Sequence, residues 1–204
     1  MIVHLRRDRT SAGFTLLELM VVVVLIGVMV TLAVPSIAQQ MRDRRTNQAA
    51  HEVALLFRQA RARAMGRGAA VLVRFDSGTV PRGTVEVREA QDIDPLHCLS
   101  LPATSCSQTN WAAANPQNRL VQSFNPTSAF TNVQLAFFNA NGGAAGNAVD
   151  ICFSPLGRPY RRFAFTGAFT PLNEIPYLQA TPIDGAGITR TVLIVPNGAS
   201  RLAL

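Results

Sequence analysis

The 204-residue sequence predicts an α+β fold, with one long N-terminal helix packed on an antiparallel β-sheet domain. Three observations carry this. The run from Leu19 to Val34 holds no charge and, counted from Phe14, gives about 20 residues, close to the length a helix needs to cross a bilayer. From Ser36 to Met65 the pattern turns amphipathic at helical spacing, with apolar or small residues at Ile37, Met41, Ala49, Val53, Leu56, Ala60 and Ala64. Beyond Gly68, short apolar runs alternate with Gly-, Pro- and Asn-containing turns, as strands do.

The expected organisation of the chain is 1–13, a basic leader; 14–35, a membrane-spanning half-helix; 36–67, an amphipathic half-helix; and 68–204, a β-rich globular domain. Arg6, Arg7 and Arg9 precede the apolar segment, so the leader is expected to stay in the cytoplasm and the domain to lie across the membrane. Glu18 alone breaks the apolar character. A carboxylate in such a segment costs roughly 2.5–3.5 kcal/mol at a helix centre and less near the interface, so it asks for a partner. No Lys or Arg lies in the segment. Cutting the chain between Gly13 and Phe14 would create one, the new α-amino group of Phe14, about one helical turn away or on a neighbouring copy. Pro35 interrupts a continuing helical pattern and predicts a kink.

Gly13-Phe14-Thr15-Leu16-Leu17-Glu18 behind a short basic leader, followed by an unbroken apolar helix, resembles the class III signal of type IV pilins and type II secretion pseudopilins. The resemblance implies a type IV pilin fold and cleavage after Gly13 by a prepilin peptidase. It further implies N-methylation of Phe14 and an assembly role for Glu18. Three other readings fit the segment less well. Ser36-Ile37-Ala38 resembles a signal-peptide cleavage site, but the apolar run exceeds the usual h-region of about 7–15 residues. A plain signal anchor would merely tolerate Glu18 near the interface. A buried core helix is disfavoured by length and by the lack of a polar face.

The β-rich part reads as a hairpin, Ala69–Phe75 and Thr84–Arg88, around a Gly-containing turn. Residues 89–118 carry Pro95, Pro102 and Pro116 and read as a long loop. Strands are expected again at 120–124, 133–138, 149–153, 161–165 and 191–195. The three cysteines, Cys98, Cys106 and Cys152, make an odd count, which in an exported domain predicts one bridge and one leftover thiol. Proximity in a polar stretch favours Cys98–Cys106, with Cys152 a small buried hydrophobe in its strand.

Ile151-Cys152-Phe153-Ser154-Pro155-Leu156-Gly157-Arg158-Pro159 resembles a strand and Pro-x-Gly-Arg turn of the GspH/FimT group of minor pilins and pseudopilins. The segment from Arg190 to Gly198 resembles that group's final strand and Gly turn. Relatives often place Arg directly after that Gly; here Ala199-Ser200-Arg201 follows, so no role is carried to Arg201. The implied function is that of a minor pilin in a type IV pilus, near its tip, partnered through the N-terminal helix by other minor pilins and the major pilin. A minor pseudopilin of a type II secretion system is the alternative. The implied location is the inner membrane, single-pass with a periplasmic domain, and then the filament.

All nineteen basic residues are Arg, and the net charge of +7 falls to +5 without the leader's three Arg and one Asp. A basic protein can meet anionic surfaces or nucleic acid. A second class of function is therefore a DNA-binding tip pilin, with Arg158, Tyr160, Arg161 and Arg162 as a basic cluster around a stacking ring. A solvated strand edge has the same composition. No nucleophile elbow, phosphate loop or metal-ligand spacing is found, and His97 beside Cys98 is too little for a metal. No enzyme, cofactor or metal is expected.

Overall fold

The computed structural model describes residues 13–78, 83–94 and 99–203. The leader arginines and Cys98 lie outside the described residues. The chain forms two compact units, one ending at Gln40 and one running from Met41 to Leu204.

A single helix, α1 (Leu16–Arg67), starts in the first unit and ends in the second. Its helical backbone continues through position 35, although proline chemistry removes one i→i−4 hydrogen bond there. Between Phe14 and Val34 all the described side chains are exposed, and the stretch is long and apolar enough to cross a membrane. Exposed Leu, Val, Ile and Met at this density need lipid or neighbouring helices around them.

The second unit holds two antiparallel sheets. The first is built from β1 (Val71–Asp76), β2 (Thr84–Asp94), β3 (Leu99–Pro102), β4 (Asn118–Phe124), β6 (Ala148–Phe153), β7 (Pro159–Phe163) and β8 (Thr170–Pro171). Its order is β3-β2-β1-β6-β7-β8, with β4 also paired to β2. The second contains β5 (Val133–Phe138), β9 (Tyr177–Pro182), β10 (Arg190–Ile194) and β11 (Ser200–Ala203), in the order β11-β10-β9-β5. A one-turn helix, α2 (Pro126–Ala129), joins β4 to β5.

One core joins all three layers. Ala49, Val53, Leu56, Phe57, Ala60 and Ala64 of α1 meet Val71, Val73 and Phe75 of β1, Ile151 and Phe153 of β6, and Leu178 and Val192 of the second sheet. Alternation along β1 then sends Leu72 and Arg74 to the opposite face. The helical stripe agrees with expectation except at its start, since Ile37 and Met41 are exposed rather than packed.

The expected loop at 89–118 is corrected. β2 continues to Asp94 and pairs with β3, Gln91 opposite Pro102 and Asp94 opposite Leu99. Polar side chains and prolines hid this hairpin, because its ladder is made by backbone groups rather than by an apolar alternation. The remaining connection, residues 103–117, covers the outer face of the first sheet. Trp111 is buried there with Ala70, Leu72, Ala90 and Cys152, and its Nε1 donates to the Cys106 carbonyl at 2.8 Å.

The expected Cys98–Cys106 bridge is also corrected, because Cys106 is bonded to Cys152, with Cα atoms 6.0 Å apart. The reason is register. Cys152 lies opposite Leu72 on β1 and Tyr160 on β7, so its side chain emerges on the face that the 103–117 connection covers. A sequence separation of 46 closes a long loop, for which the chain-entropy relation gives about 4 kcal/mol. Cys106→Ala is expected to lose about that much in denaturant unfolding of the detergent-solubilised chain. A loss under about 1 kcal/mol would mean that the connection is held by Trp111 packing alone.

Candidate functional site

The start of α1 is built by its own residues. Gly13, Phe14 and Thr15 are non-helical, and Leu16 opens the helix. Thr15 is the N-cap: its Oγ1 accepts the Glu18 backbone N–H at 3.2 Å, and its carbonyl accepts the Leu19 N–H at 3.2 Å. Glu18 stands three residues after the cap, the Thr-x-x-Glu order of a capping box. The signal around Gly13 therefore also encodes a helix start. It leaves the Gly13–Phe14 bond just outside the helix, with Phe14 82% exposed. Glu18 sits in the first turn, where a carboxylate complements the helix dipole and any positive charge at the terminus. Sequence reasoning missed this cap, although Thr15-Leu16-Leu17-Glu18 carries the whole signal for it.

The domain holds two ionic centres. On the helix side of the first sheet, Glu89 is buried beneath the C-terminal end of α1. It accepts from Arg63 and pairs with Arg67 at 2.7 Å and Arg119 at 3.2 Å. Burial by itself pushes the Glu89 carboxyl up, but the hydrogen bonds and charges of Arg63 and Arg119 outweigh it, and its pKa lies below the ordinary value. The stability this adds is fully present above the unfolded carboxyl pKa, about 4.3, and is lost as pH falls through the lower folded value. Wild type is therefore expected to melt above Glu89→Gln at neutral pH, with the two melting temperatures converging in acid. A constant gap down to about pH 3 would contradict this.

On the outer face, a charge ladder crosses four strands: Glu86 on β2 lies opposite Arg74 on β1, Arg74 opposite Asp150 on β6, and Asp150 opposite Arg162 on β7. Asp150 is fully buried and accepts from Arg74 at 2.8 and 2.9 Å and from Arg162 at 2.8 Å. Arg74 also lies over the Phe165 ring, 4.2 Å from its centroid, and Arg162 over Phe169 at 4.5 Å. These arginines border a cleft of about 580 Å³ together with Arg88 and Trp111. Arg88 is itself paired with Glu86 at 2.9 Å, so the cleft's arginines are already matched by carboxylates.

The four residues expected to form a basic cluster are divided: Tyr160 and Arg162 share the outer face of β7, Arg161 takes the other face, and Arg158 lies in the preceding turn. Adjacent positions on a strand point to opposite faces. Arg162 lies on the outer face against buried Asp150, while Arg161 pairs with Glu174 at 2.8 Å. Tyr160 packs partly buried beside the Cys106–Cys152 bridge. Arg158, in the turn before β7, is exposed. Among the described residues no three His, Cys, Asp or Glu side chains stand together as metal ligands would.

The two glycine turns converge on one helix residue. Gly157 has φ +73° and Gly198 φ +81°, both left-handed. A Cβ at Gly157 would meet Met65 Sδ at 2.8 Å, and one at Gly198 would meet the Gly157 carbonyl oxygen at 2.7 Å. Arg61 Nε donates to that same carbonyl at 3.3 Å. Both glycines thus let the turns lie against the end of α1, a packing role.

Residues 8–34 match the family model described as the prokaryotic N-terminal methylation motif. The match identifies a type IV pilin-like class III signal, which implies processing by prepilin peptidase and assembly with other pilins. The family marked by this motif is structural rather than enzymatic. No curated protein and no solved structure matches the chain. The long helix followed by an antiparallel β-sheet domain is a type IV pilin-like arrangement. With the motif, the apolar helix fits a single-pass membrane anchor.

Proposed function

We propose that this chain is a minor pilin, cut between Gly13 and Phe14, methylated at Phe14 and taken from the inner membrane into a type IV pilus near its tip. The observation that supports this most is the methylation motif at 8–34, set on a capped helix whose apolar half is exposed at every described side chain of the single chain. Such a surface is satisfied by lipid before assembly and by the apolar helices of neighbours afterwards.

The chemistry follows from the cut. Hydrolysis of the Gly13–Phe14 bond leaves a positively charged amine at a helix N-terminus, where the dipole disfavours it. Moving that amine into a filament core without a counter-charge is strongly unfavourable. Glu18 of a subunit in correct register supplies one, so assembly selects register through this pair. The other residues of the span contribute packing and carry no charge.

The test is the mass of the N-terminal peptide from membranes and from sheared filaments. Methylated Phe14 in both fractions is expected. A mature start at Gln39 would mean an ordinary signal peptide and end the pilin reading. Recovery of the methylated form in a secretion pseudopilus instead of a pilus would make the chain a type II secretion pseudopilin.

A further inference from the structure

We infer that the outward face of α1 between Met41 and Met65 docks the helix of a different, acidic pilin-type subunit and rejects a second copy of this chain. The inference rests on the pilin-type reading above and adds the kind of neighbour it takes. Met41, Arg44, His51, Leu55, Arg58 and Met65 follow one another at spacings of three, four or seven, which places them on one helical stripe. All six are exposed, while the opposite stripe of α1 is the buried core face. Met41, Leu55 and Met65 expose 47%, 39% and 47% of their surface, with Met65 also lying against the Gly157 turn, so apolar and basic residues are interspersed along the stripe.

The charges decide the occupant. Among the other arginines of this stretch, Arg42 pairs with Asp184, Arg63 and Arg67 with Glu89, Arg45 donates to Thr131, and Arg61 to the Gly157 carbonyl. Arg44 and Arg58 have no hydrogen bond or ion pair among the described residues, and both lie on the open stripe. They are fourteen residues apart, about 21 Å along the helix at 1.5 Å per residue. The acids of α1 beyond Met41 are Asp43, which accepts the Ile188 N–H, and half-buried Glu52. Copies anchored in one membrane lie parallel. At equal depth in that membrane, two copies would set Arg44 against Arg44 and Arg58 against Arg58, and like charges in contact oppose binding. A helix with carboxylates two heptads apart and apolar residues between them complements both the charge and the Met–Leu–Met positions.

The experiment uses the full-length chain in membranes of cells that also make the other pilin-type subunits. A photo-crosslinking residue replaces Leu55, and in a second variant Val24 within the span. The expected Leu55 adduct joins this chain to a different protein that bears its own methylation motif and carboxylates at the matching spacing. Arg44→Glu with Arg58→Glu should reduce that adduct roughly ten-fold while leaving the Val24 adduct and the Cys106–Cys152 bridge intact. Reversing the partner's two carboxylates to Arg should restore it. A Leu55 adduct of twice this chain's mass, or wild-type yield from the charge-reversed variant, would overturn the inference. A Val24 adduct without a Leu55 adduct would also overturn it while leaving the pilin-type reading in place. Absence of both adducts would remove the two together.

Discussion

Glu18→Ala should yield a protein that is inserted, cut and methylated, and is missing from sheared filaments. Insertion is not impaired, since removing a carboxylate lowers the cost of sitting in lipid. The helix still starts in the same place. Its cap is the Thr15 hydroxyl accepting the backbone N–H of residue 18, a bond that alanine keeps. What the helix itself loses is a favourable charge in its first turn, about 0.3–1 kcal/mol. That is too little to unfold a span whose apolar residues favour the membrane so strongly. The large loss is in assembly, where the Phe14 amine of a neighbour has no counter-charge in an apolar surrounding. Glu18→Gln separates the two roles, because glutamine can complete a capping box but carries no charge. It should fail like alanine. Wild-type amounts of either variant in filaments would reduce Glu18 to a helix-start residue at the membrane interface and end the register argument.

Asp150→Ala should be among the most destabilising single changes in the domain, by about 3 kcal/mol or more in denaturant unfolding. Asp150 is fully buried and holds two arginines, Arg74 and Arg162, whose side chains are 10% and 11% exposed. Removing one partner of a buried ionic group costs far more than the group's net worth, because the remaining charges stay desolvated. Here two cations are left facing each other. The adjoining cleft gives water some access to them, which holds the expected value toward the lower end of the usual range of about 3–5 kcal/mol. Replacing the three charges together, Arg74→Met, Asp150→Leu and Arg162→Met, should recover most of the loss, since an apolar cluster of similar volume avoids the desolvation cost. If Asp150→Ala unfolds within 1 kcal/mol of wild type, the ladder is hydrated and adds no stability.

The sequence by itself determined whatever depends on residues close along the chain. The methylation motif lies within residues 8–34, the apolar span is contiguous, and the helical period of Ala49, Val53, Leu56, Ala60 and Ala64 follows from local geometry. The strands expected at 133–138 and 149–153 were legible for the same reason, as runs bounded by turns, and are found at Val133–Phe138 and Ala148–Phe153. Two further features were legible and missed. The Thr15–Glu18 cap is a four-residue signal, and the alternation along a strand already forbids Arg161 and Arg162 from sharing a face. β9 was missed as well, because Gln179 and the flanking prolines masked the buried alternation of Leu178 and Ala180. Tertiary structure alone decided the rest. Which cysteine meets Cys106 depends on the register of β6 against β1 and on the path of the 103–117 connection across it. Glu89 gains its three arginines because α1 ends above β2 while β4 returns alongside it. Gly157 and Gly198 meet at Arg61 for a similar reason, two turns closing on one helix end. Each of these joins residues from separate elements, and their meeting is set by strand register and layer packing, which no local pattern of side chains encodes.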